Sequence, residues 1–145
     1  MDPLGPITLA DIEAARTRIA DAAVRTPLLP LAMAAPDGPH GPSHDAWRSS
    51  KCGGESSGVW LKLECLQPIG SFKIRGAANA LALAPRADLA RGVYTASAGN
   101  MAQGVAFAAR RLGVDCRVIV PDTAPRTKIE AIRRLGGTVV PMPWK

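Results

Sequence analysis

The chain has 145 residues, 47% hydrophobic and 21% charged, a balance that fits one soluble domain with a core of its own and excludes a disordered tail. Its net charge of +6 invites a nucleic-acid partner, but the cations are scattered and only 4% of residues are aromatic. With no recognition motif and no stacking platform, no nucleic acid is expected. No apolar run approaches the ~20 residues of a membrane-spanning helix, and MDPLGPITLADIEAARTRIA lacks the basic-then-apolar order of a targeting peptide. The expectation is a cytoplasmic chain without membrane contact.

In chain order, Thr8 followed by Asp11 resembles a capping box, and Leu9, Ile12, Ile19 and Ala23 keep a helical spacing, predicting an amphipathic helix over 8–23. Pro27 and Pro30 then hold RTPLLPL extended. Residues 34–58 turn to Pro, Gly, Ser, His and Asp with no apolar period, the composition of a long surface loop. His40 and His44 fall inside it as solvated side chains with too few companions for a metal site. Cys52, Cys65 and Cys116 are odd in number and widely spaced, which argues for reduced thiols, with Cys116 in the core.

Beyond the loop, VWLKLE (59–64) reads as a strand, and GSFKIRGAANAL opens a helix running to about Pro85. GVYTAS (92–97) is a second strand. Residues 100–112 form a helix that Gly113 terminates, and CRVIVP (116–121) is a third strand, apolar as if covered on both faces. Pro125 sits in the first turn of the next helix, which Gly136-Gly137 ends before the short strand TVVPM. The paired arginines 110–111 and 133–134 lie in last turns, where the helix dipole favours cations. Alternating strands and helices predict an α/β fold, a parallel sheet with flanking helices. The expected organisation is an N-terminal helix and lead-in over 1–33, the loop over 34–58, and a lysine-bearing α/β small domain over 59–145.

Ligands of open parallel sheets lie beyond the carboxyl ends of the strands. Three loops occupy that place: CLQPIGSFK (65–73), TASAGNMAQG (95–104) and PDTAPR (121–126). The second offers backbone N–H groups at a helix start together with Ser97, Asn100 and Gln103, a ready site for a carboxylate or phosphate. Ser97 or Asn100 as a plain helix cap is the competing reading. In the first loop Ser71 can cap a helix whose first turn carries Lys73 and Arg75, against the preference for acidic residues there. A partly buried lysine at a helix N-terminus has its ammonium destabilised, which frees the amine as a nucleophile or Schiff-base former. A merely solvated lysine is the alternative for Lys73 alone, and the neighbouring anion loop tips the balance.

At these residues the sequence resembles the pyridoxal-phosphate enzymes of fold type II, the tryptophan-synthase-beta-like family, and within them the threonine/serine dehydratases. LKLECLQPIGSFKIRGA (61–77) is similar to their K-x-E…Q-x-x-G-S-F-K-x-R-G-A signature, TASAGNMAQGVAFAARRLG (95–113) to their asparagine loop, and VPDTAPRTKIEAIRRLGGTVV (120–140) to the segment that follows. The resemblance implies that the fold is the small domain of a two-domain enzyme. It implies pyridoxal 5'-phosphate as cofactor, with Lys73 condensing with its aldehyde and later moving the substrate Cα proton. Phe72 would pack beside the cofactor and Asn100 would hydrogen-bond its ring hydroxyl. Ser97, Gly99, Asn100, Met101 and Gln103 would cradle the carboxylate of a small amino-acid substrate. The implied reaction removes the hydroxyl of L-threonine or L-serine by β-elimination, giving a 2-oxo acid and ammonia.

Three departures stand out. Met101 replaces a histidine common in the family. Ala98 replaces the second serine of the related serine racemases, which disfavours racemisation. The sequence holds no glycine-rich phosphate cup, so the expectation is an N-terminal portion that binds cofactor weakly or not at all by itself. A silent binding or regulatory module and a serine racemase-like enzyme stay open as alternatives, as does assembly into a homo-oligomer. A dinucleotide site is disfavoured because neither loop reads GxGxxG.

Overall fold

The computed structural model of the chain describes residues 5–31 and 59–143. The 34–58 loop, with His40, His44 and Cys52, lies outside the described residues. The chain forms two compact units, one of residues 1–25 and 64–145 and one of residues 26–63.

In the first unit, helix α1 (Leu9–Arg18) begins as its sequence dictates. The Asp11 N–H donates to Thr8 Oγ1 at 3.2 Å, and the Thr8 N–H donates to the Asp11 carboxylate at 2.9 Å. These bonds satisfy two of the donors every helix start leaves over. The helix is shorter than the 8–23 its apolar spacing predicts. It stops at Ile19, which is buried at 6% exposure, and a turn then carries Ala22 into the core. Leu9 and Ile12, expected on a buried face, remain exposed. Burial of Ile19 and Ala22, rather than the periodicity, sets where the helix ends.

Helix α2 (Lys73–Leu83) buries Ile74, Ala77, Ala78 and Leu81, the apolar rhythm legible in its sequence. The short α3 (Arg86–Leu89) leads into strand β3 (Val93–Ala96). Numbering strands along the whole chain, β3 is followed by α4 (Asn100–Arg111), β4 (Cys116–Pro121), α5 (Arg126–Arg134) and β5 (Thr138–Met142). Pro125 precedes α5 as its N-cap rather than sitting within its first turn. The three strands form a parallel sheet in the order β3-β4-β5, in register Thr95 to Val118 to Val139. Gly113 and Gly136 take φ of +67° and +97° after α4 and α5, a left-handed conformation that terminates both helices as their positions foretold.

The core lies between this sheet and α4 and α5. Cys116, Val118 and Val120 of β4 pack with Ala102, Ala106 and Ala109 of α4 and Ile132 of α5 in one buried cluster. At Gly137 an added Cβ would meet Ile132 at 2.8 Å, Ala106 at 3.1 Å and Val118 at 3.2 Å, so both crossover helices lie on one face of the sheet. The opposite face carries Tyr94, Arg117 and Met142, all exposed. Strand β4 thus alternates between buried and open positions and is not covered on both faces among the described residues. Consecutive strand order sends successive right-handed crossovers to the same side, which explains the difference.

The second unit corrects a further expectation. Strand β2 (Trp60–Lys62) does not join the parallel sheet; it pairs antiparallel with β1 (Leu28–Pro30), Leu29 opposite Leu61. The stretch held extended by Pro27 and Pro30 is therefore a strand partner, and Pro30 is tolerated because β1 is an edge.

Candidate functional site

The loop from Glu64 to Phe72 does not follow a strand of the parallel sheet, so Lys73 reaches the site by helix packing. Helices α2 and α4 lie against each other, with Gly104 at a close approach. A Cβ there would lie 3.2 Å from the Lys73 carbonyl oxygen and 3.3 Å from Ala77 Cβ. The main chain of Lys73 is thereby placed against α4, one turn in from Asn100. A glycine inside an otherwise alanine-rich helix is the sequence signal for such a contact, and reasoning from motifs passed over it.

Lys73 is the first residue of α2 and is half-buried. Phe72, in a helical conformation, occupies the N-cap position without capping by its side chain. Ser71, buried at 6%, contributes its hydroxyl one residue earlier than expected of a cap, accepting the Lys73 N–H at 3.3 Å. The Lys73 Nζ stands 4.7 Å from the centre of the Phe72 ring, a cation–π contact, and Phe72 is itself 57% exposed.

The second cation of this turn is held by a carboxylate. Arg75 Nε and Nη2 each donate to Glu64 at 2.8 Å, and Nη2 also donates to the Val24 carbonyl at 3.1 Å. Pairing with Glu64 raises the guanidinium pKa above its ordinary value, while burial opposes it. Gln67, 4% exposed, accepts the Val24 N–H at 3.0 Å through its side-chain oxygen and donates to the Val24 carbonyl at 2.9 Å through its nitrogen. The unfavourable charge of Arg75 at a helix start is offset locally, leaving Lys73 as the cation of that turn without a carboxylate partner among the described residues.

At the head of α4, the Ser97 N–H donates to the Ile119 carbonyl at 3.1 Å and extends the parallel ladder. Ser97 Oγ accepts the Gly99 N–H at 3.1 Å, and the Gln103 N–H donates to the Gly99 carbonyl at 3.3 Å. These three N–H groups are spent inside the protein. The N–H groups of Asn100 and Met101 find no acceptor among the described residues, and no side chain caps the helix. Asn100 and Met101 are exposed, and Gln103 is half-buried. The loop thus presents free backbone donors, those of the exposed Asn100 and Met101 among them, and the positive end of the α4 dipole beside the helix that bears Lys73, an arrangement suited to a carboxylate.

Cys116 is buried, and desolvation pushes its thiol pKa up, as befits a core residue; Cys65 is exposed. No cluster of three or more metal-ligating side chains occurs among the described residues. No described helix is long and apolar enough to cross a membrane.

Comparison with known proteins identifies the family. The chain is 55% identical over 82 residues to threonine dehydratase 1 of Solanum lycopersicum, covering 57% of this chain and 14% of that protein. It is 40% identical over 134 residues to the L-threonine ammonia-lyase of Thermotoga maritima, covering 92% of this chain and 29% of that protein. Its fold superposes on the serine racemase of Dictyostelium discoideum with a TM-score of 0.74 at 33% identity, over 96% of this chain and 40% of that one. The chain therefore spans well under half the length of these relatives. The family description "Pyridoxal-phosphate dependent enzyme" matches residues 41–143. With the family match over residues 41–143 and the α/β fold in agreement, the chain belongs to the pyridoxal-phosphate dependent enzymes of fold type II.

Proposed function

We propose that the chain serves a threonine/serine dehydratase, releasing the β-hydroxyl of L-threonine or L-serine and yielding a 2-oxo acid and ammonia. The observation that carries this reading is the close approach at Gly104, which sets the lysine helix against the head of α4. When bound, pyridoxal phosphate supplies an electron sink for the bonds at the substrate Cα.

The residues present fit the aldehyde end of that cofactor. Lys73 offers a half-buried amine with no carboxylate partner among the described residues, Phe72 offers an exposed ring beside it, and Asn100 offers an amide for the ring hydroxyl. No glycine-rich loop for a phosphate occurs among the described residues, and Gly136-Gly137 is a helix end. The phosphate is assigned to the part of the relatives' fold that this chain does not span.

In this scheme the Lys73 amine would hold the cofactor and would accept the proton from the substrate Cα. The free N–H groups of Asn100 and Met101 hold the substrate carboxylate, and Ser97 and Gln103 keep the bend in shape. Ala98 has no hydroxyl to serve as a base on the opposite face, so elimination is favoured over the racemisation for which the structural relative is named.

The test is 2-oxo acid release from L-threonine and L-serine by the chain joined to the remaining portion of the Thermotoga maritima relative. Lys73→Ala should lower kcat by at least about 1,000-fold. Equal turnover in wild type and Lys73→Ala would refute the assignment.

A further inference from the structure

We propose that Glu64, Gln67 and Arg75 form a positioning clamp that fixes Lys73 beside the first turns of α4; the proposal rests on the role given to Lys73 above. Arg75 lies two residues beyond Lys73 in the same helical turn and is tied at three points, to both Glu64 oxygens at 2.8 Å and to the Val24 carbonyl at 3.1 Å. A planar guanidinium bound through two nitrogens cannot swing without breaking both bonds, so the fork sets orientation as well as charge.

Gln67 makes the clamp directional. It grips both the N–H and the carbonyl of Val24, and its nitrogen also approaches Glu64 Oε2 at 3.3 Å. Since one amide group gives and receives bonds at Val24, its orientation is fixed, and Glu64 is held where Arg75 needs it. Glu64 is only 17% exposed, so water competes weakly for the pair.

On the far side of Lys73 stands Gly104, whose missing side chain lets α4 come up to the Lys73 carbonyl. The Lys73 N–H is held by Ser71. The backbone of Lys73 is therefore held at its N–H and closely approached at its carbonyl, while its Nζ lies against the Phe72 ring at 4.7 Å. A residue that must first hold a cofactor and then carry a proton needs a backbone held in that way, because small displacements of a reacting group are costly.

Two variants separate positioning from bulk stability. Glu64→Gln removes the carboxylate charge, and Arg75→Lys keeps the positive charge but loses the fork. Ile132→Val, which thins the core under α5, serves as a destabilised control. Each protein is treated with pyridoxal phosphate and borohydride, and modification of Lys73 is compared with that of Lys62 and Lys128. In parallel, reductive 13C-methylation followed by NMR reports the environment of Lys73 without any cofactor.

The clamp predicts that both variants lose the preference for Lys73 by about tenfold or more and that its methyl signal moves to the position of exposed lysines. Ile132→Val should lower the melting temperature and leave both readouts unchanged. Folded variants that keep the wild-type preference and signal, or a control that loses them equally, would overturn the clamp. If wild type shows no preference for Lys73 toward pyridoxal phosphate, the assignment of the lysine fails. The methyl signal then still decides the clamp: a distinct wild-type signal lost in both variants supports it, and one at the exposed position overturns it.

Discussion

At the scale of single residues, the lysine turn shows how one helix start accommodates two cations. Lys73 leans over the Phe72 ring, and Arg75 is taken up by Glu64. Glycines matter here through what they exclude. Gly137→Ala would drive a methyl group against Ile132, Ala106 and Val118, all fully or nearly fully enclosed, and should cost about 1–3 kcal/mol in urea denaturation. Gly104→Ala gains helix propensity but pushes on the Lys73 backbone, so it should alter Lys73 reactivity more than it alters stability. Lys73 and the 97–103 bend were legible from sequence because a cation in a first turn and a small-polar helix start are local anomalies. The Glu64 to Arg75 tie was not, since a bond across eleven positions leaves no periodic trace; only the recurrence of Glu64, Gln67 and Arg75 within one motif hinted at it.

At the scale of elements, α4 explains the closeness of the site. Its buried positions are alanines and a glycine, so it packs tightly on β4 and α2, and Ile132 supplies bulk from α5. Ile132→Ala should therefore destabilise by about 2–5 kcal/mol in the same denaturation assay. Helix α1 depends on its cap. The Thr8 hydroxyl and N–H hold the Asp11 carboxyl below its ordinary pKa. A depressed carboxyl contributes stability that is present above the ordinary carboxylate range and is lost as pH falls through the folded value. The melting temperatures of wild type and Asp11→Asn should accordingly differ near pH ~7 and converge in acid. A gap that persists unchanged in strong acid would contradict this origin. Strand β2 was misplaced from sequence because an apolar alternation such as VWLKLE does not state its partner, whereas β3, β4 and β5 were legible as parallel strands because a helix separates each from the next.

At the scale of the whole chain, three consecutive parallel strands with both crossovers on one side leave Tyr94, Arg117 and Met142 open on the other. Arg117 lies over the Tyr94 ring and donates to its hydroxyl at 3.2 Å, so the polar end of that open face is internally paired. The chain spans 14% and 29% of the length of two of its relatives. The most direct test of the account is peptide mapping after pyridoxal phosphate and borohydride treatment of the chain joined to the remaining portion of the Thermotoga maritima relative. The account predicts the reduced adduct on Lys73 and its loss in Lys73→Ala. An adduct spread evenly over the exposed lysines, or one undiminished by that substitution, would contradict it.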